Sequence, residues 1–188
     1  MEEELSEWVQ LEYLHISDVT KGRLLVTSVP PALKAPGSFE GKVTLTQQDI
    51  TQLPGYRSER VCLLDPAATQ ELSPQDCTFS WFLFGGILGD DPPRDRTGEL
   101  RKYGFARRCL GQAQMTTDTA VAVVHAVVLG GKRMQDLPFV DHPELTFGRR
   151  EAVTMPFRYL CDPHTHVPIL PAGMRDAIRR DADKPFYE

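Results

Sequence analysis

Two short stretches of this 188-residue chain combine residue types that can do chemistry. The first is Phe84-Gly85-Gly86-Ile87-Leu88-Gly89-Asp90-Asp91-Pro92-Pro93-Arg94-Asp95-Arg96-Thr97. An apolar run, Thr78 to Phe84, passes straight into glycines and then into acid, proline and arginine. Glycine lets backbone approach a ligand closely, and the carboxyl ends of strands are where open α/β sheets hold small molecules. Two prolines stiffen the segment, and a stiff loop that presents charge reads as a site. No Gly-Lys-Ser/Thr follows, so it is not a phosphate loop, and the glycine spacing is not that of a dinucleotide fingerprint. The second stretch is Leu110-Gly111-Gln112-Ala113-Gln114-Met115-Thr116-Thr117-Asp118-Thr119-Ala120. Helix capping accounts for its threonines and for Asp118 at the positive helix end. It leaves Leu110-Gly111 and Gln114-Met115 unexplained.

Other reactive residues form no such pattern. His164-Thr165-His166 near Cys161 has no fourth ligand at suitable spacing and reads as a hairpin turn, so no metal site is expected. His125 lies in an apolar run and reads as a core histidine, and His15 and His142 carry no pattern. No Ser-His-Asp or Cys-His order stands out. The cysteines (Cys62, Cys77, Cys109, Cys161) are scattered, as befits free thiols in a reducing compartment.

Elements that could position the two stretches are legible. Leu5, Trp8, Val9, Tyr13 and Ile16 recur at helical spacing, and Lys21-Gly22 ends that helix. Strands are expected at Arg23–Val29, Val61–Leu64, Thr78–Phe84, Phe105–Leu110, near Phe139-Val140 and at Met155–Leu160. Short helices are expected from Thr46 to Leu53, from Asp95 or Thr97 to Lys102, and near Met134. Two longer ones should run from a cap at Thr116 or Thr117 to Leu129, apolar on every side and so buried, and from Ala172 to about Asp183. This alternation predicts an α/β fold with a mostly parallel sheet and helices on both faces. Its length fits a single domain over residues 1–188.

The chain is 41% hydrophobic and 25% charged, with net charge -5. That composition is globular and argues against a broad nucleic-acid face. Even so, Arg94, Arg96, Arg101, Lys102, Arg107 and Arg108 cluster between the two stretches. No apolar run is long enough to span a membrane, and Glu2-Glu3-Glu4 is unlike a leader. A cytoplasmic protein is expected.

Taken jointly, these residues resemble the SPOUT methyltransferase superfamily, the α/β-knot enzymes that use S-adenosyl-L-methionine. Within it, the chain is similar to the fungal-type arginine methyltransferases that modify a small-subunit ribosomal protein. The resemblance is carried by Ser6-Glu7-Trp8-Val9 with Leu11-Glu12-Tyr13, Val61 to Pro66, Phe84 to Thr97, Gln114 to Ala120, Met155 to Tyr159, and Pro168 to Pro171 with Gly173-Met174. It implies a trefoil knot in the C-terminal half, an exception to ordinary connection rules. It also implies a monomer and a bent cofactor held between three loops. Those loops are Leu64-Asp65-Pro66; Phe84-Gly85-Gly86 with Leu88 and Gly89; and Leu110-Gly111 with Gln114-Met115-Thr116-Thr117. Family members begin with a strand and a Glu-His pair ahead of the first helix. This sequence opens at that junction, so its first strand is expected to be missing.

The implied reaction sets a chemical requirement. A guanidinium is protonated at neutral pH, so carboxylates must grip it and accept its proton. Asp90 is the first candidate, followed by Asp91 and Glu7. Arg94 is expected to hold the cofactor carboxylate or the loop. RNA methylation, with RNA as partner, and a non-catalytic SPOUT-fold binding module are the competing readings.

Overall fold

The computed structural model describes residues 4–86, 97–148 and 151–182. Helix α1 (Glu7–Thr20) is capped by Ser6, whose Oγ accepts from the Val9 amide, and it ends where Lys21 turns left-handed at φ 54°. Strand β1 (Leu25–Val26) pairs in parallel with β2 (Thr44–Leu45).

The central sheet contains β3 (Val61–Leu64), β4 (Trp81–Leu83) and β5 (Ala106–Arg108), all parallel, in the order β4-β3-β5. All four residues of β3 are buried, as a strand covered on both faces requires. Its period of two sorts them. Cys62 and Leu64 pack with Val123, Val124 and Val127 of helix α2 (Thr117–Val128). Val61 and Leu63 face the other way, toward Ile50, Leu53 and Phe105. So an α-helix covers one face, while short 3-10 turns, Ile50–Gln52 and Gly98–Tyr103, serve the other.

Beyond α2 the pairing becomes antiparallel. Strand β6 (Phe139–Asp141) pairs with β9 (Arg158–Leu160), and β7 (Glu144–Thr146) with β8 (Ala152–Thr154). Helix α3 (Met174–Ala182) follows, and its Met174 and Ile178 join Trp8 and Leu11 of α1 and Tyr159 of β9 in a second core.

The sequence reading needs four corrections. The paired strands are shorter than their apolar runs: Arg23–Val29 contracts to β1, and Thr78–Phe84 to β4 behind a 3-10 turn at Pro74–Thr78. Thr46 starts no helix; Asp49 caps the 3-10 turn through Thr51 instead. The Met155–Leu160 run is broken, because β8 stops at Thr154 and β9 begins at Arg158, with Pro156 unable to donate to a ladder. The sheet is divided into smaller ones, two of them antiparallel.

A cavity of about 760 Å³ lies between β1 and β4. Leu24 to Ser28 form one wall and Phe79 to Gly86 the other, with Tyr13 and Ile16 of α1 and Val121 and Val124 of α2 also lining it. Among the described residues, β1 pairs only with β2 and β4 only with β3, so both strands turn an edge to this cavity.

Candidate functional site

The parallel register aligns the carboxyl ends of the three central strands. Leu63 stands opposite Leu83, and Leu64 opposite Arg108, so the segments leaving β3, β4 and β5 emerge along one sheet edge. Their apolar residues gather there: buried Leu64 is in the same cluster as half-buried Phe84, Leu110 and Met115. A crevice outside strand carboxyl ends, apolar but still partly open, can take a flat heterocycle. Gly86 and Gly111 lie on the segments that leave β4 and β5, and a Cβ built at either position meets nothing within 4 Å. Gly111 holds φ +85°, a conformation only glycine adopts without strain. Thr116 occupies the N-cap position of α2 and is buried; its hydroxyl donates to Thr119 Oγ1 at 2.8 Å. Thr117 opens the helix, and the carbonyl of Gln114 accepts from the Arg158 amide at 2.8 Å.

Asp65 follows β3 directly, and its carboxylate is fully engaged by the protein. It accepts from Arg101 Nε and Nη2, both at 2.7 Å, from Thr97 Oγ1 at 3.1 Å, from Arg107 Nη1 at 3.2 Å and from the Ala67 amide at 2.9 Å. The Arg101 guanidinium above all, against the cost of burial, holds this carboxyl well below the usual carboxylate range. Asp65 thereby ties Thr97, where the glycine-rich stretch ends in sequence, to the end of β3. Pro66 beside it is exposed. Arg108 donates to the buried Asp76 at 2.9 Å. Three cations of the basic cluster (Arg101, Arg107, Arg108) thus face carboxylates of their own protein.

Of the sequence candidates, Leu64, Asp65, Pro66, Phe84, Gly85, Gly86, Leu110, Gly111, Gln114, Met115, Thr116 and Thr117 fall on the three segments at this edge. Asp90, Asp91, Leu88, Gly89 and Arg94 lie outside the described residues. Glu7 sits apart in the first turn of α1, exposed and paired with Arg180 of α3. Burial pushes the Cys62 thiol up to about 12, so it is no nucleophile. Among the described residues no group of His, Cys, Asp and Glu has the geometry of a metal site, and no helix is long and apolar enough to cross a membrane.

The sequence reading passed over a buried acidic cluster beside the start of α2. Glu12 of α1 and Asp118 of α2 are only 1% and 2% exposed. The Trp8 indole N–H donates to Glu12 Oε1 at 2.6 Å, and His15 Nδ1 meets Asp118 Oδ2 at 2.9 Å. Burial first, and then the Asp118 charge, push the Glu12 carboxyl up to about 7. Glu12 Oε2 and the Tyr159 hydroxyl, both buried, have no hydrogen-bond partner among the described residues. The available signal was Glu12 itself, an acid four residues from both Trp8 and Ile16 in a helix read as amphipathic.

Known proteins with this arrangement agree with one another. A family model described as "Protein arginine N-methyltransferase SFM1-like" matches residues 1–185. A Saccharomyces cerevisiae relative, Protein arginine N-methyltransferase SFM1, is 41% identical over 198 residues, covering 97% of this chain and 92% of that protein. The crystal structure of the yeast arginine methyltransferase SFM1 complexed with SAM matches with TM-score 0.89 and 41% identity, over 98% of this chain and 89% of that one. The yeast structure complexed with SAH matches with TM-score 0.86 and 42% identity, over 95% and 91%. A dual-specific Trm10 of Thermococcus kodakaraensis, 23% identical, matches with TM-score 0.50 over 69% of this chain and 81% of that one, a likeness of fold alone.

Proposed function

The chain belongs to the SFM1-like protein arginine N-methyltransferase family, and from that premise we propose that it methylates an arginine of a small-subunit ribosomal protein with S-adenosylmethionine as donor. The observation that carries the reading is the meeting of three strand-end segments around one apolar crevice. The residues present fit the cofactor: Leu64, Phe84, Leu110 and Met115 offer an apolar slot, and Gly86 and Gly111 leave open space on the segments beside it. Pro66, Gly85, Gln114, Thr116 and Thr117 are the further cofactor candidates on these segments, and Leu88, Gly89 and Arg94 are those of the glycine-rich stretch. Asp65 serves from behind, as the brace of that stretch. When bound, the cofactor supplies a methyl group activated by its sulfonium. The work of the chain is to align an arginine nitrogen with that methyl and exclude water. It must also take the guanidinium proton. Asp90 is assigned that task, with Asp91 beside it in sequence. The surface pairing of Glu7 with Arg180 supports a role in holding α1 to α3.

A protein substrate is favoured over RNA because Arg101, Arg107 and Arg108 are each paired with a carboxylate of their own chain. The test incubates the purified chain and labelled cofactor with small-subunit ribosomal proteins, with ribosomal RNA, or alone. Methylarginine found by mass spectrometry in the protein arm supports the proposal. Label in RNA supports the RNA reading, and cofactor binding without transfer supports a binding module. We also propose that residues 1–188 form one domain that works as a cytoplasmic monomer. Its C-terminal half would carry the family's knot, and the cavity between β1 and β4 would receive the family's first strand. The two facing strand edges support that last point.

A further inference from the structure

We propose that Glu12 and Asp118 are a positioning pair for the Leu110–Thr117 segment, with Glu12 carrying a proton in the state that binds cofactor; this rests on reading that segment as cofactor-binding. The pair joins three elements. α1 contributes Trp8, Glu12 and His15, which share one helical face. α2 contributes Asp118 from its first turn, and β9 contributes Tyr159. The ionisable groups felt by Glu12 are Asp118 and His15, and those that feel Glu12 are Tyr13 and Tyr159. From α3, Arg180 turns to Glu7 instead.

Burial of two carboxylates side by side favours a proton here. An ionised Glu12 would be a buried charge beside a second buried carboxylate, a cost that the Trp8 indole and the Asp118 backbone N–H offset only in part. A protonated Glu12 removes one of the two buried charges and leaves Oε2 with an O–H to give. Trp8 continues to serve the other oxygen. Losing the proton sets two buried negative charges against each other across the α1–α2 joint. That joint is continuous with the segment in question: Asp118 is one residue past Thr117, and Gln114 is bonded to Arg158, the neighbour of Tyr159. Repulsion at Asp118 therefore displaces the segment from the position the crevice needs.

The experiment measures SAH affinity by titration calorimetry from pH 6 to pH 9 on the intact chain and on Glu12→Gln. If binding raises the Glu12 pKa by one unit, wild-type affinity falls about tenfold across that range. Glu12→Gln, which cannot ionise, should stay near the low-pH affinity throughout. Parallel profiles for the two proteins overturn the proposal, and the comparison cancels any titration of the ligand itself. Carboxyl-13C NMR of labelled glutamate gives a readout that needs no variant. One resonance should titrate near 7 and move higher when SAH saturates the protein. If every glutamate titrates in the ordinary range, or none responds to SAH, the pair is not coupled to the site. Failure of SAH to bind at any pH overturns both this inference and the cofactor reading, whereas binding that ignores pH overturns this inference alone.

Discussion

Asp65 directly follows β3, and the residues it holds are its own chain's. Two guanidiniums, a threonine hydroxyl and a backbone amide converge on one buried carboxylate. Asp65→Asn should therefore cost about 2 kcal/mol of stability at neutral pH, read by chemical denaturation, since hydrogen bonds to a charged group lose their charge. The sign with pH follows from the depressed pKa. The contribution is present above the ordinary value of 3.8 and fades as the pH falls toward the lower folded-state value. Wild type and variant should thus converge in acid, and a stability gap that persisted there would argue for packing over charge. Asp90 is the opposite case, a residue assigned by chemistry. Asp90→Asn keeps shape and removes charge, so SAH affinity should hold while arginine methylation falls about 100-fold or more. Retained turnover would move the proton acceptor to Asp91. Residue types in sequence made both acids visible as candidates, but they could not reveal Asp65's side-chain partners, which lie 32 to 42 positions away. The partnership of His15 with Asp118 spans 103 positions and was equally hidden.

At the scale of elements, the strong apolar runs located β3, β4 and α2, and in β3 burial on both faces leaves no polar residue to interrupt the strand. They overstated strand length, since an apolar run measures burial and not ladder pairing: Phe79 and Phe84 sit in the α2 core yet lie outside β4. Glu144 to Thr146 escaped notice because β7 is exposed on either side of Leu145 and is defined by its hairpin partner β8. The segments leaving the strands allow a direct comparison of two glycines. Gly86 is exposed and has open space where a Cβ would go. Gly86→Val should therefore melt within a degree or two of wild type while losing SAH binding, as the branched side chain fills the slot. Gly111 holds φ +85°, so Gly111→Ala should cost about 1 kcal/mol of stability as well as affinity. Calorimetry paired with thermal melts separates the two. Normal SAH binding by Gly86→Val would mean the crevice is not the cofactor site.

For the whole molecule, local pattern ran out where topology began. Nothing in the periodicity of β1 or β4 says that a cavity separates them, because each is a short apolar run that would look the same fully paired. The structure puts one edge of each strand against that cavity, with α1 and α2 along it. Unpaired strand edges beside apolar walls are a liability for stability and for aggregation. The chain also sets the direction of a strand that would fill the gap. α1 leads by a short turn into β1, so a strand joined ahead of α1 would lie parallel to β1 in a right-handed crossover. Its other edge would meet β4, which runs parallel to β3. About six β-branched or apolar residues would match the length of the walls. Joined ahead of Met1, such a segment should add about 2 kcal/mol, raising the melting temperature by about 4–8 °C for a chain of this size. Hydrogen exchange at Trp81 to Phe84 should slow in step. An extension of equal length with proline at its centre cannot complete the ladder and should give neither effect. If both extensions melt alike, with exchange at β4 unchanged, the cavity is not a strand site and the two edges are stable as they stand.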